Sequence, residues 1–191
     1  MLGEQIDVVL QVTSVLDALD IPYALGGSFA SGAYGVMRST LDADLVAELQ
    51  MDNAVSLADA LGVDFYADVE MIREAIRRRS SFNLIHLSTM FKVDLFVAKA
   101  RPFDRAQLDR RQEHQLGGLP ENRVYVSSAE DIVLAKLEWY RMCGEVSERQ
   151  WRDVLGVVRV QGERLDRDYM REMAVTLDVV DLLKRALAEA A

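Results

Sequence analysis

The sequence predicts a mixed α/β (α+β) fold, in which a small mixed sheet is flanked by helices and followed by a helical bundle. Two apolar runs, SFNLIHLS and FKVDLFVA, are separated by Thr89 and Met90 and predict adjacent antiparallel strands. Everything after Ser128 repeats apolar side chains at helical spacing. We therefore predict a core at residues 1–126 and a C-terminal helical region at residues 127–191.

Four elements are predicted in the first 50 residues. Apolar side chains recur at helical spacing over residues 4–20, and Pro22 ends this helix. The segment YALGG predicts a short strand that runs into glycines, and SFASGAYGV predicts a short helix over residues 28–36 that Ser28 would cap. The segment LDADLVAEL alternates in a way that is typical of a strand.

The middle of the chain predicts two more helices, a loop and a last strand. Helices are expected over residues 52–62 and 68–79, the first with an Asp at its N-cap and a Gly at its end. Residues 100–122 contain two prolines, a Gly-Gly pair and many charges, which predicts a long connecting loop. The segment RVYVSS predicts a strand. Ser128 and Asp131 resemble a capping box at the start of three or four helices.

The charge balance limits the partners of the chain. It has 22 basic and 31 acidic residues, a net charge of −9. That balance argues against non-specific binding to nucleic acid, because such binding depends on Lys and Arg side chains that neutralise phosphates. Residues 73–79 and 101–111 are locally basic and are interpreted as a solvated helix face and a charged loop. The alternative for both stretches is a basic surface at the rim of a binding site, where it would bind an acceptor substrate.

Composition also indicates the compartment. One cysteine, Cys143, excludes an intramolecular disulfide and a cysteine-rich zinc site. No apolar run reaches the roughly 18 residues that a membrane-spanning helix needs, and acidic residues occupy the N-terminus where a secretion signal would be basic. We expect a cytoplasmic protein without a membrane partner. His86 lies in an apolar strand and is expected to be an ordinary core or edge histidine.

Three aspartates are candidate metal ligands. Asp42 and Asp44 are two apart in a predicted strand, so both project on one side, roughly 7 Å apart. Without further evidence, the Asp42-x-Asp44 pattern is better explained as a turn with two solvated aspartates. Asp94 lies in an apolar strand, where a carboxylate is costly unless it is paired or binds metal, and a salt bridge to Lys92 or an arginine is the alternative. Together the three aspartates predict an oxygen-ligand site for Mg²⁺ or Mn²⁺.

Two glycines and a serine precede these aspartates. Gly26 and Gly27 follow a predicted strand, and Ser28 begins a predicted helix. Glycines allow the backbone to approach a phosphate closely, and a helix N-terminus offers free N–H groups and a favourable dipole. An ordinary tight turn would explain the three residues on their own. With the Asp42-x-Asp44 pattern on the next strand, they predict a triphosphate site.

This ordered set of motifs resembles the DNA polymerase-β-type nucleotidyltransferase superfamily. The matching residues, in chain order, are Gly26, Gly27, Ser28, Arg38, Thr40, Asp42, Asp44 and Asp94. The pattern is most similar to the bacterial branch that includes abortive-infection-type nucleotidyltransferase toxins. The 13 residues between Ser28 and Asp42 are more than in minimal members of the superfamily and comparable with the toxin-like branch. The resemblance covers roughly residues 20–100 and implies a nucleotidyltransferase core.

The resemblance implies a role for each matching residue. Asp42 and Asp44 would hold the metal ions that bind the nucleoside triphosphate. Asp94 would complete the second metal site and help to deprotonate the attacking hydroxyl. The Gly26-Gly27 backbone and Ser28 would hold the β- and γ-phosphates.

Further contacts to the nucleotide are implied outside the carboxylate motifs. Arg38 would bind phosphate or clamp its loop, and Thr40 belongs to the same nucleotide-binding motif. Lys136 is the candidate contact from the helical region, and the alternative for it is a lysine on the wet side of an amphipathic helix. The Arg152-Asp153 pair is similar to a helical motif of the same branch.

The implied activity is transfer of a nucleoside monophosphate from an NTP, such as ATP, to an acceptor hydroxyl with release of pyrophosphate. The acceptor stays open between a small molecule, tRNA and a protein. The alternative function is a catalytically silent nucleotide-binding or partner-binding protein of a toxin–antitoxin-like system. The apolar content of the last two helices would permit a homodimer or a cognate partner protein.

Overall fold

A single mixed sheet organises the chain. The structure is a computed structural model that describes residues 2–34, 42–117 and 122–190. In these ranges seven strands form one sheet in the order β3-β4-β5-β2-β1-β7-β6. The strands are β1 Tyr23–Leu25, β2 Asp42–Ala47, β3 Phe65–Tyr66, β4 Ser81–His86, β5 Lys92–Val97, β6 Gln112–Gln115 and β7 Arg123–Val126. The pairs β2–β5 and β1–β7 are parallel, and the other neighbours are antiparallel. The predicted mixed sheet is confirmed.

Helices flank the sheet and make up the whole C-terminal part of the described chain. They are α1 Leu2–Ala18, α2 Gly27–Ala33, α3 Asn53–Leu61, α4 Val69–Arg78, α5 Pro102–Asp109, α6 Ala129–Met142, α7 Glu148–Gln161, α8 Arg167–Thr176 and α9 Val180–Ala190. Ser128 caps α6 as predicted, because its Oγ accepts the Asp131 N–H at 3.2 Å. Within the described ranges, no helix is both long enough and apolar enough to cross a bilayer.

The two faces of the central strands differ in burial. Along β2, Ala43, Leu45 and Ala47 are fully buried, whereas Asp42 and Asp44 on the other face are half-buried. The buried side chains join a main hydrophobic core that extends from α1 and the sheet into the last four helices, for example through Leu16, Leu95, Leu134 and Met170. The opposite face therefore carries the aspartates.

A smaller apolar cluster covers one end of the aspartate face. Ala24 of β1 and Val46 of β2 are paired in register, and they pack with Ala98 and with Leu108 of α5. At the same end, Phe96 of β5 meets the Trp139 ring of α6 edge-on, with 6.1 Å between centroids. These contacts leave the other end of the face, where the carboxylates lie, to α2 and α6.

The prediction of a loop at residues 100–122 is wrong, because α5 and β6 both lie in this segment. Pro102 is in the first turn of α5, where a residue without an N–H costs no helical hydrogen bond, so the proline begins a helix instead of breaking one. Phe103 and Leu108 bury the inner side of α5. Strand β6 is an edge strand of polar residues paired with β7, so it has no apolar alternation to reveal it.

Two other predictions differ from the structure in detail. Ser28 does not cap α2: the N-cap position is Gly26, and Gly27 turns the chain with a φ of +58°, so Ser28 already lies in the first turn. The β4–β5 turn is longer than Thr89 and Met90. The strands end at His86 and Lys92, and the Met90 N–H donates to the His86 carbonyl at 2.8 Å.

Candidate active site

The strand register places the three predicted aspartates together. Strand β2 lies beside β5 in parallel, with Asp42 opposite Lys92 and Asp44 opposite Asp94. Side chains two apart on a strand share a face, and neighbouring strands are about 4.8 Å apart. All three carboxylates therefore project from one face of the two central strands, as predicted for Asp42 and Asp44.

The glycine pair is built around Asp44. The Gly26 N–H donates to the Asp44 carbonyl at 2.7 Å, which joins the start of α2 to β2. A methyl group added at Gly27 would lie 1.7 Å from Asp44 Oδ2, far inside van der Waals contact. Gly27 also has a positive φ of 58°, a conformation that favours glycine. The sequence needs glycine at position 27 because the Asp44 carboxylate lies directly against the backbone there.

The cluster has an excess of negative charge. Burial, followed by the charges of Asp42 and Asp94, raises the pKa of Asp44 to about 6, while Lys136 and Lys92 act in the opposite direction. The carboxylates therefore repel one another at neutral pH, and a bound cation would relieve that repulsion.

Asp94 is held by two donors on the same face. The Asn83 amide donates to Asp94 Oδ1, and the Lys92 ammonium lies 3.5 Å from the same oxygen. The Asp94 side chain keeps 19% of its surface exposed, because its apolar neighbours Val93 and Leu95 point to the other face. The salt bridge to Lys92 that was the alternative explanation of Asp94 is present.

Lys136 reaches the cluster from the helical region. It lies on α6 with 8% of its surface exposed, and its Nζ donates to Asp153 Oδ2 of α7 at 3.0 Å. Its charge also lowers the pKa of Asp44. The alternative of a lysine on the wet side of a helix is therefore wrong. The neighbouring Arg152 is exposed and donates to the Glu148 carbonyl at 3.4 Å.

The donor set suits a hard divalent cation, although the side chains are not gathered around one. Three carboxylates on one face are the ligands that Mg²⁺ prefers. Among residues 2–34, 42–117 and 122–190, no group of three or more His, Cys, Asp and Glu side chains is arranged to hold a metal ion. Asp94 is turned toward Asn83 and Lys92 instead.

Other predicted contacts fall elsewhere. Arg38 and Thr40 lie outside the described residues. His86 is half-buried at the end of β4, an inner strand of the sheet, and has ordinary contacts, with Nδ1 2.8 Å from Thr89 Oγ1 and its ring tilted against Phe65. Cys143 is free and exposed.

The basic stretch at residues 73–79 is a solvated helix face, as interpreted. Arg73 pairs with Glu70, and Arg77 and Arg78 both pair with Glu74 along α4. Arg79 follows the helix and donates to the Ala98 carbonyl beyond the end of β5, away from Lys92 at its start.

Three arginines of residues 101–111 contact other parts of the protein. Arg101 forms salt bridges with Asp104 and with Glu138 of α6. The Arg110 guanidinium lies over the Tyr169 ring at 3.9 Å, and Arg111 lies over the Tyr125 ring at 4.8 Å. The alternative of an acceptor-binding rim has no support in these contacts.

Sequence reasoning missed Asn83 as a neighbour of the cluster. A tight turn at Thr89 and Met90 would pair Asn83 with Phe96, whereas the longer turn pairs Asn83 with Asp94. The polar residue in an otherwise apolar strand was the available signal, and its meaning depends on the register.

Several solved structures have the same fold as this chain. No family model matches the chain, and no curated protein matches it. Among solved structures, the antibiotic-resistance factor ANT(2″)-Ia in solution is 15% identical with a TM-score of 0.59, covering 100% of this chain and 96% of that one. A crystal structure of ANT(2″)-Ia in complex with adenylyl-2″-tobramycin is 14% identical with a TM-score of 0.60, covering 92% and 97%. The chain has the nucleotidyltransferase fold.

A third similar structure supports the same assignment. It is an antigenic nucleotidyltransferase-like protein from Paracoccidioides brasiliensis, 20% identical with a TM-score of 0.58, covering 98% of this chain and 94% of that one. At these identities the similarity establishes the arrangement of the nucleotidyltransferase fold, and chemistry has to be argued from the site. The narrower resemblance to the abortive-infection toxin branch stays a prediction.

Proposed function

We propose that this chain is a metal-dependent nucleotidyltransferase that moves a nucleoside monophosphate from an NTP to an acceptor hydroxyl. The observation that carries the proposal is the shared face of Asp42, Asp44 and Asp94 on two adjacent parallel strands, in a chain with the nucleotidyltransferase fold. The raised pKa of Asp44 supports it, because carboxylates with perturbed pKa values that cluster on one face are typical of functional sites.

Each carboxylate has a proposed role in the reaction. The acceptor oxygen forms a bond to the α-phosphorus, the bond from that phosphorus to the β-phosphate bridging oxygen breaks, and pyrophosphate leaves. Asp94 accepts the hydroxyl proton from the acceptor. Asp42 and Asp44 would hold the cation that neutralises the triphosphate. Positioning of this kind provides most of the catalysis in phosphoryl chemistry.

The metal requirement follows from the donor chemistry. Asp42, Asp44 and Asp94 would hold Mg²⁺ or Mn²⁺, which when bound neutralises phosphate charge and orients the triphosphate. Burial, together with repulsion from Asp42 and Asp94, raises the pKa of Asp44, and a bound cation would offset both effects.

The triphosphate would lie at the start of α2. Gly26 and Gly27 leave no side chain between the backbone and the carboxylate cluster, and Ser28 is in the first turn of the helix. We assign the β- and γ-phosphates to these three residues, together with Arg38 and Thr40 from the following segment. Lys136, held by Asp153, supplies a positive charge that acts on Asp44.

We propose a small-molecule acceptor, with tRNA and protein acceptors ranked below it. ANT(2″)-Ia, which has the same fold, was crystallised with an adenylylated small molecule, adenylyl-2″-tobramycin. In the present chain, the net charge of −9 disfavours a polyanionic acceptor, and so do the ion pairs that most arginines of residues 73–79 and 101–111 form within the protein.

A thermal-shift screen tests the proposal without knowledge of the acceptor. The four NTPs are tested singly, with and without Mg²⁺ or Mn²⁺. We expect a rise in Tm that needs both the metal and a nucleotide, because only the folded site binds them together. Asp44→Asn should lose the shift, whereas Asp7→Asn, an exposed position on α1, should keep it.

The absence of any shift under all conditions would overturn the proposal. It would favour the alternative of a catalytically silent partner-binding protein, such as one member of a toxin–antitoxin-like pair. A shift that survives in Asp44→Asn would place nucleotide binding elsewhere on the molecule.

A further inference from the structure

Lys92 shares the face of the three carboxylates. It is the first residue of β5, opposite Asp42 in the register and two residues before Asp94. Residues two apart on a strand project on the same side, so its side chain leaves the sheet among the aspartates. The sequence suggested Lys92 only as an incidental salt-bridge partner of Asp94.

Lys92 lies against an oxygen of Asp94 that is proposed to bind the metal. The Lys92 ammonium lies 3.5 Å from Asp94 Oδ1, the same oxygen that accepts the Asn83 amide hydrogen bond. A divalent cation at that oxygen would face an ammonium at close range, and like charges this near repel strongly. Lys92 and a cation therefore compete for one atom.

The two lysines that act on Asp44 differ in their freedom to move. Lys136 is buried and bonded to Asp153 at 3.0 Å, so removing it from the site would break a buried ion pair. The Lys92 side chain keeps 45% of its surface exposed. Its ammonium reaches solvent by rotation of a flexible side chain, and Asp94 keeps its hydrogen bond from Asn83 when Lys92 moves.

We propose that Lys92 is an internal counter-cation of the Asp42, Asp44 and Asp94 cluster, which offsets part of the negative charge of the metal-free site and leaves Asp94 when a divalent cation binds. This inference rests on the proposed function. Its consequence is a metal affinity that Lys92 weakens, so that the site stays assembled without metal and is loaded at higher metal concentrations.

Titration calorimetry with Mn²⁺ alone tests the inference, because it measures cation binding without turnover. Lys92→Met keeps the length of the side chain and removes its charge, and Lys92→Arg keeps the charge. The matched control is Lys99→Met, an exposed lysine beyond the end of β5 and roughly 20 Å along the strand direction from Lys92. Both methionine variants change the net charge of the protein equally.

We expect Lys92→Met to bind Mn²⁺ about three- to tenfold more tightly than the wild type, from loss of one nearby ammonium. Lys92→Arg and Lys99→Met should bind as the wild type does. In metal-free buffer Lys92→Met should have the lower Tm and should gain more in Tm from Mn²⁺. Equal or weaker Mn²⁺ binding by Lys92→Met would overturn the inference, and weaker binding would mean that Lys92 orients Asp94 for the metal.

The outcomes separate this inference from the proposed function. If wild type and Lys92→Met bind Mn²⁺ equally, and Asp44→Asn abolishes binding in both backgrounds, the metal site stands and the role of Lys92 fails. If none of the proteins binds Mn²⁺, alone or with any of the four NTPs, both proposals fail.

Discussion

At the scale of single residues, the close approach of Gly27 and Asp44 leaves no room for a side chain at position 27. Backbone and carboxylate lie so close that a β-carbon at position 27 would fall 1.7 Å from Oδ2. Any side chain there would displace the carboxylate that is proposed to bind metal. Gly27 is therefore required for the geometry of the site as well as for the turn.

Gly27→Ala should lower both stability and metal binding. The positive φ and the clash together are expected to cost about 2–4 kcal/mol in the free energy of unfolding, measured by urea denaturation. Gly144→Ala is the control, because Gly144 has a φ of +75° with no atom within 4 Å of an added β-carbon. If the two variants lose equal stability and Gly27→Ala still binds Mn²⁺ normally, the close approach is not a constraint.

Asp44→Asn should stabilise the metal-free protein at high pH. The pKa of Asp44 is raised from 3.8 to about 6, so the folded state binds this proton more tightly than the unfolded chain. The free energy of unfolding therefore falls as pH rises from about 4 to about 6, and the full penalty is present above that range. Removing the charge should gain about 1–2 kcal/mol at about pH 8 and little at about pH 4.

Urea denaturation of wild type and Asp44→Asn across this pH range, with a chelator present, measures the effect. Asp59→Asn, at an exposed position on α3, is the control and should show no pH-dependent difference. A constant difference between wild type and Asp44→Asn at all pH values would show that folding does not raise the pKa of Asp44.

At the scale of secondary-structure elements, one buried ion pair joins two helices of the C-terminal region. Lys136 of α6 and Asp153 of α7 each keep about a tenth of their side-chain surface exposed and meet at 3.0 Å. A buried pair of this kind is weak as a source of stability, but the loss of either partner leaves a charge without its counter-ion.

Lys136→Met should therefore lower the free energy of unfolding by about 2–4 kcal/mol, because the Asp153 carboxylate loses its ammonium. The double variant Lys136→Met with Asp153→Leu should recover most of that loss. Urea denaturation measures stability, and the thermal shift with NTP and Mg²⁺ measures function. Nucleotide binding should stay impaired in the double variant, and full recovery of it would remove Lys136 from the proposed site.

Elements were predictable where their signals are local. The two-residue spacing of Asp42 and Asp44 and the apolar period of the C-terminal helices depend on nothing beyond their own segments, and both are confirmed. Strand β6 is polar, and its pairing depends on β7 beside it, so no local signal exists. The burial of Lys136 likewise depends on α7, which the sequence of α6 does not specify.

The pairing of Asp94 shows the same limit within the site. The register of a hairpin is set by the conformation of its turn. Met90 in this turn has a positive φ of 58°, which is uncommon for methionine and cannot be predicted from the residue type. The presence of a carboxylate on β5 was therefore predictable. The contact with Asn83 was not, because it needs the register.

At the scale of the whole molecule, the net charge predicts which class of acceptor can bind. The net charge of −9 is unfavourable for a polyanion, and the basic segments are engaged in ion pairs and ring contacts. We expect binding to tRNA weaker than about 100 µM in an electrophoretic mobility assay, even at low salt. Salt-dependent binding in the low micromolar range would redirect the acceptor search to RNA, and Arg73→Gln would test whether α4 is responsible.

The continuous core described above has a consequence for how the molecule responds to its ligands. Apolar side chains from α1, the central strands and the last four helices belong to one cluster. Elements that share one contiguous core lose it together, so we expect them to unfold as a cooperative unit. A nucleotide bound at the sheet would then slow amide exchange around the buried Leu183 and Ala186 of α9 as well as beside the phosphates. Protection spread across the whole chain would thus report occupancy of the site, and would not map its location.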